Sequence, residues 1–196
     1  ARVTVSGVWT EPPWASALDE ASALRSIPQD ATITGMFLES AAGLARERGH
    51  AVRSARPRYV PFQPYPLKEH CQILLEVARA VYPNATIREA LRKLGRGAPH
   101  VLLQSTVGRV VLGSVEGPIA TIEAMARSYA LHMRPANLAV ERAGSSGAII
   151  RMSEIHNFLD SHNVGVFEGV MKLAKVDGTI RIRAYSRTSA DFSCEW

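Results

Sequence analysis

Over residues 137–196 the hydrophobic and polar positions change period twice. Asn137–Arg142 and Ala148–Ser153 flank the turn Gly144-Ser145-Ser146-Gly147, Val164–Val176 is apolar at helical spacing, and Thr179–Ser186 and Ala190–Trp196 alternate strictly. Alternation with a period of two marks half-buried strands, and apolar residues three and four apart mark a helix face. The pattern therefore predicts two hairpins separated by one helix. In the last hairpin Ile180, Ile182 and Ala184 share a face, as do Ala190, Phe192, Cys194 and Trp196. A three-residue loop, Arg187-Thr188-Ser189, would set Arg183 beside Ser193 and Arg181 beside Glu195, with opposite charges meeting on the solvent side. The apolar face needs a cover of helices, and Trp196 is expected to be buried beneath it.

The chain before residue 136 reads as mainly helical. Arg2–Trp9 is a short strand or extended arm. Ser16–Ser26 is a short helix closed by Pro28, Thr32–Gly35 is extended, and Met36–Arg48 is a helix stopped at Gly49. Ser54–Pro66 carries Pro57, Pro61, Pro64 and Pro66, which fix an extended connector holding Tyr59, Phe62 and Tyr65 on the core; a proline-rich docking ligand is the alternative. Leu67–Tyr82 is amphipathic, with Leu67, Cys71, Leu74, Leu75, Ala78 and Val81 on one stripe. Thr86-Ile87-Arg88-Glu89 has the capping-box pattern and starts a helix at Ile87. Gly95 and Gly97 are expected to loosen or end it, with a new helix from Pro99 through Val110. Gly113–Gly117 reads as a loop, and Ile119–His132 as the last front helix, with Pro118 at its start and Pro135 stopping it.

The fold class is thus α+β: an N-terminal helical part packed on a four-stranded antiparallel sheet made of two hairpins separated by a helix. One domain over residues 1–196 is expected, with an arm (1–16), a mainly helical part (17–135) and a ββαββ part (136–196). Hydrophobic residues make up 46% of the chain, ample for one core. No apolar run approaches ~18 residues, so no membrane span is expected, and no secretory signal is read. Cys71 and Cys194 both fall on apolar positions and read as buried free thiols, which points to the cytoplasm. A net charge of +5 permits contact with nucleic acid or anionic lipid without demanding it.

Candidate chemistry is sparse. The six histidines are His50, His70, His100, His132, His156 and His162; none forms a paired ligand motif and no Cys-x-x-Cys completes a zinc site, so no metal is expected. His156 and His162 read as capping and loop residues. Ser105, Ser145 and Ser146 lack a nucleophile-elbow context, and no phosphate loop is present, so no catalytic residue is assigned. Arg88, Arg92 and Arg96 repeat every four residues with Lys93 beside them. They form either an anion- or nucleic-acid-binding face or a solvated helix surface, and no aromatic residues are interleaved to stack bases. Glu168, inside Gly165-Val166-Phe167-Glu168-Gly169, is a partner for a ligand or an arginine, or a first-turn carboxylate. Gly165 and Gly169 lie four apart, which suggests one helix face in close approach to a backbone, a partner subunit or a ligand.

Several segments together carry a family resemblance. They are Ala31-Thr32-Ile33-Thr34-Gly35-Met36-Phe37, Tyr59-Val60-Pro61-Phe62, Tyr65-Pro66-Leu67 and the run from Ala85 to Arg96. Ser105, Gly108-Arg109-Val110, the run from His162 to Gly169 and Trp196 complete the set. Over residues 17–196 the chain resembles an uncharacterised paralogous family expanded in myxobacteria, for which no activity is established. The layout is also similar to a wider group: haem-nitric oxide/oxygen binding domains, vinyl-4-reductase-like domains and TRAPP trafficking subunits. That resemblance implies an enclosed volume for haem, a small hydrophobic molecule or an acyl chain. Its haem branch carries a histidine in the helix before the first hairpin and a Tyr-x-Ser-x-Arg on that hairpin's second strand. Here the strand reads Ile149-Ile150-Arg151-Met152-Ser153-Glu154-Ile155, and His132 stands at the very end of the helix. The haem-type sensor is therefore disfavoured, and no cofactor is expected.

The expected function is a non-enzymatic cytoplasmic sensory or adaptor module. It binds a small apolar ligand or a partner protein, a homodimer being one candidate. The pocket is expected near Cys71, Leu74, Tyr129, Phe167 and Glu168. A nucleic-acid binder using Arg88, Arg92 and Arg96 is the alternative.

Overall fold

The computed structural model describes residues 8–105, 108–110 and 115–196. Most of the strand expected over Arg2–Trp9, and Gly113 and Ser114 of the loop expected over Gly113–Gly117, lie outside the described residues. The helical part comprises α1 (Glu20–Arg25), α2 (Gly35–Glu47), α3 (Leu67–Val81), α4 (Ile87–Gln104) and α5 (Pro118–His132). Short strands β1 (Thr32–Thr34), β2 (Pro64–Pro66) and β3 (Met133–Arg134) form a small sheet in the order β2-β1-β3. The C-terminal part is β4 (Asn137–Arg142), β5 (Gly147–Ser153), α6 (His162–Leu173), β6 (Thr179–Ser186) and β7 (Ser189–Glu195). Its sheet has the order β4-β5-β7-β6 and is antiparallel throughout, as the alternation predicted.

Local signals start and stop these elements. Asp19 caps α1 by accepting from the Ser22 amide, so that helix is shorter than expected. Thr86 caps α4 from the Glu89 amide, 3.2 Å away. Gly49, with φ +77°, ends α2 in a left-handed conformation that glycine adopts without strain. α6 begins at His162 and ends at Leu173, short of Val176, because Lys175 takes a positive φ and the Val176 amide turns back to Met171 O.

α4 does not break. It runs unbroken through Gly95, Gly97 and Pro99, against the expectation of two helices. Pro99 removes one helical hydrogen bond, but burial against α6 supports the helix on both sides of it. The crossing is close because glycines face backbone. A Cβ on Gly95 would stand 2.0 Å from His162 O, one on Gly165 2.0 Å from Arg92 O, and one on Gly169 2.5 Å from Arg96 O. The other side of α6 meets the sheet, where Phe167 and Phe192 pack with ring centroids 5.3 Å apart.

The last hairpin differs from its expected register by two residues. Arg181 stands opposite Ser193 and Arg183 opposite Asp191, with a bulge between Ala184 and Ser186 and the turn closed by Ser186 and Ser189. A shift of two keeps each side chain on its own face, so Ile180, Ile182 and Ala184 still meet Cys194, Phe192 and Ala190. The cause is local. Asp191 is buried, where Arg183 Nη2 and Tyr185 Oη both donate to it at 2.7 Å. Arg181 and Glu195 remain 3.8 Å apart as a diagonal pair. Trp196 is half-buried rather than buried, its amide donating to Ser146 O at 2.8 Å. In the connector Tyr59 and Tyr65 are buried, but Phe62 is exposed and lies over the His132 ring.

Candidate functional site

The helices line a cavity of about 720 Å³, open to solvent at a rim that includes Arg46 and Glu47 and within the usual size of a small-molecule site. Met36 of α2, Leu74 of α3, Val101 of α4, Met125 of α5 and Val166 of α6 form its apolar walls. Each comes from the inward stripe of an amphipathic helix, so the space is what remains where five such stripes converge without filling the centre.

Of the five residues expected to line a pocket, Leu74, Tyr129 and Phe167 do so. Cys71 and Glu168 lie elsewhere. Cys71 is fully buried with Sγ 3.8 Å from His156 O, and burial pushes its thiol pKa up. Glu168 turns toward α4, where Arg92 Nε donates to it at 2.9 Å and Arg96 Nε at 2.6 Å. Burial pushes its carboxyl up, but the hydrogen bonds and charges of the two guanidinium groups outweigh that and leave it below the usual carboxylate range.

The same contacts correct the reading of the basic face. Arg92 and Arg96 are spent on Glu168, and Arg88 Nη1 lies 2.5 Å from Asp160 Oδ2. Arg92 also lies over the Trp14 ring, 3.9 Å from its centroid. Arg88 and Arg92 of this stripe face α6 and the N-terminal segment of their own chain, while Arg96 reaches Glu168 from an exposed position with its side chain 47% accessible. Gly165 and Gly169 likewise meet α4 of the same chain rather than a partner subunit.

Three histidines not expected at the pocket supply most of the cavity's buried polar groups beside Tyr129. His70, His132 and His162 all line it and are all at least nine-tenths buried. The His70 and His162 rings meet edge to face, centroids 6.2 Å apart. Burial, with His162 adding a smaller push, depresses His70 to about 3, and burial alone depresses His162 to about 4. Burial also lowers His132. All three rings are therefore neutral at pH 7. His70 Nδ1, His162 Nδ1 and His132 Nε2 are buried without a hydrogen-bond partner among the described residues. Such an atom typically costs ~1–3 kcal/mol. His132 Nδ1 is 3.1 Å from Thr34 Oγ1.

Beside the His70–His162 pair, Tyr129 Oη lies 2.7 Å from Asn163 Oδ1 and 3.0 Å from Asn157 Oδ1, and Asn163 Nδ2 donates to Asn157 Oδ1 at 3.0 Å. A usable signal existed: Leu67, His70 and Leu74 follow helical spacing, which places His70 on the apolar stripe of α3.

The model of a family described as "Protein of unknown function (DUF2378)" matches residues 26–196. The chain belongs to that family. No curated protein matches it. Among solved structures it is similar to an Fe(II) unliganded H-NOX protein from K. algicida, at 13% identity and a TM-score of 0.64, over 83% of this chain and 96% of the other. It is also similar to an H-NOX protein from S. oneidensis in the Fe(II)NO state (14%, TM-score 0.58, 83% and 98%). A mutant H-NOX of T. tengcongensis is a third (12%, TM-score 0.60, 83% and 97%). These likenesses show the H-NOX-like fold. No helix among the described residues is long and apolar enough to cross a membrane.

The fold thus raises haem, which needs an axial ligand for iron and partners for two propionates. His132 could supply an imidazole nitrogen. Among the described residues, the one guanidinium on the cavity, Arg46, is held by Glu39, and Glu47 adds a second carboxylate to that rim, which leaves the propionates no free cation there. On β5 and just beyond it the chain reads Ile149-Ile150-Arg151-Met152-Ser153-Glu154-Ile155, where only the serine of a Tyr-x-Ser-x-Arg could be matched. Arg151 pairs outward with Glu141 at 2.8 Å. The residues present do not fit haem. Among the described residues, no group of three or more His, Cys, Asp or Glu could hold a metal ion.

Proposed function

We propose that this protein is a non-enzymatic, cytoplasmic sensory or adaptor module that holds a small apolar ligand in the cavity bounded by α2, α3, α4, α5 and α6. With it goes the narrower lineage reading, a paralogous family expanded in myxobacteria. The observation that carries the function is the cavity itself: about 720 Å³ of mostly apolar volume between the helices, opening to solvent at a rim that includes Arg46 and Glu47, the size and character of a small-molecule site. Two buried, reduced cysteines suit a reducing compartment. Among the described residues of the cavity, the histidines have no carboxylate hydrogen-bond partner.

The test is native mass spectrometry of the protein as purified, together with titration by the uncharged dye Nile red. Binding of the dye with a stoichiometry of one, lost in Ala126→Phe, which fills the cavity from α5, is the expected result. No retained species and no dye binding by the parent protein would overturn the proposal.

A further inference from the structure

We infer that the ligand is an uncharged, largely apolar molecule bearing a hydroxyl, and that the hydroxyl sits against the His70–His162 pair; this rests on the cavity being a ligand site at all. The first support is proton accounting. Tyr129 has one proton and gives it to Asn163 Oδ1, while Asn163 spends its amide on Asn157. Tyr129 and Asn163 thus find their partners within this cluster. The two imidazoles beside them do not: no side-chain hydrogen bond of either is made among the described residues, and each has a buried, unpartnered Nδ1. Both rings line the cavity, and they are 3% and 5% exposed.

The second support is the chemistry of that pair. A neutral imidazole offers one N–H and one acceptor nitrogen. Two of them side by side match a group that both donates and accepts, and a hydroxyl does both through one atom. An ether or ketone only accepts. A carboxylate would need a cation, and among the described residues the one guanidinium on the cavity is already held by Glu39. Burial keeps the histidines uncharged, so they do not replace it. An ammonium head would find no carboxylate at this pole, because Glu39 and Glu47 both belong to α2, and Glu168 is held by Arg92 and Arg96. Met36, Leu74 and Phe167 leave the remainder of the molecule an apolar bed.

The experiment is a matched series on the full chain at neutral pH: decanol, methyl decyl ether and decanoate, each measured by displacement of Nile red. Decanol is expected to bind at least about tenfold tighter than either of the others. His70→Leu and His162→Leu should each remove most of decanol's advantage and leave the ether's affinity near that of the parent, with circular dichroism and the thermal midpoint reporting that the variants fold. If a variant fails to fold, the series on the parent protein decides alone. An ether that binds as well as decanol, or a decanoate that binds best, overturns the hydroxyl inference and leaves the pocket standing. Failure of Nile red and of all three probes overturns the pocket reading and this inference with it.

Discussion

Gly95 and Gly97 lie two residues apart in one helix, and alanine at each should move stability in opposite directions. In a helix interior Gly→Ala gains roughly 0.5–1 kcal/mol from the unfolded chain's lost freedom. At Gly97 nothing stands within 4 Å of the added Cβ. That variant should keep the whole gain, and its thermal midpoint should rise by roughly 1–4 °C for a chain of this size. At Gly95 the added Cβ would lie 2.0 Å from His162 O and 3.0 Å from Val166 N. These are backbone atoms in the first turns of α6, not the tip of a side chain, so the helices must part. Overpacking of this kind costs about 1–3 kcal/mol. Taking the upper end and subtracting the propensity gain leaves a net loss of about 2–2.5 kcal/mol, or a midpoint lower by roughly 4–10 °C. Differential scanning calorimetry on the parent and both variants measures this directly. Two shifts of the same sign would refute the close approach of α4 and α6.

Other consequences are equally direct. Glu168→Gln should cost about 1–2 kcal/mol at pH 7, since it strands Arg92 and Arg96; because the carboxyl pKa is lowered in the fold, that stability is lost as pH falls through the folded value, and a cost unchanged in acid would contradict the pairing. His70 and His162 titrate near 3 and 4 in the fold against ~6.5 unfolded. The unfolded chain therefore takes up protons first, and stability should drop below about pH 6.5 by up to ~1.4 kcal/mol per pH unit for each histidine; urea midpoints for His162→Leu should show a shallower fall. Trp196→Ala should destabilise by less than the ~3–5 kcal/mol typical of a buried Trp, because that ring is half-buried. Reconstitution with haemin should give no Soret band of one-to-one stoichiometry, and one that vanished in His132→Ala would refute the misfit.

The parts of the fold legible in the sequence were those set by local periodicity. Asn137–Arg142 and Thr179–Ser186 are strands with those same bounds, because alternation and burial on one face are two statements of one pattern. The hairpin register escaped because it hangs on Asp191, a polar residue whose burial depends on Arg183 and Tyr185 folding over it. The continuity of α4 escaped for a related reason. Gly95, Gly97 and Pro99 are local helix breakers, and only a helix some seventy residues later, meeting Gly95 with its own backbone, makes them tolerable. At the site, Leu74, Tyr129 and Phe167 could be read from apolar stripes. Glu168 could not be placed from its own helix alone. It shares a turn with Phe167, which lines the cavity, while its carboxylate reaches the opposite way to Arg92 and Arg96.

That opposite reach decides what kind of recognition the cavity can perform. α4 brings three arginines, Arg88, Arg92 and Arg96, to within one helix diameter of the interior, and on their spacing any of them could have turned inward. Glycines 165 and 169 bring α6 close enough for Glu168 to hold two of the three, and Asp160, just before α6, holds the third. The positive charge of the helix is thus spent on the seam that fixes the cavity's wall, and the polar groups left facing the cavity's interior are neutral imidazoles and a phenol. The pole at His70 and His162, away from the rim of Glu39, Arg46 and Glu47, selects by shape and by hydrogen-bond direction. Its affinity for an uncharged probe should therefore change little between low and high salt, whereas a charged ligand drawn to free arginines would show a steep dependence.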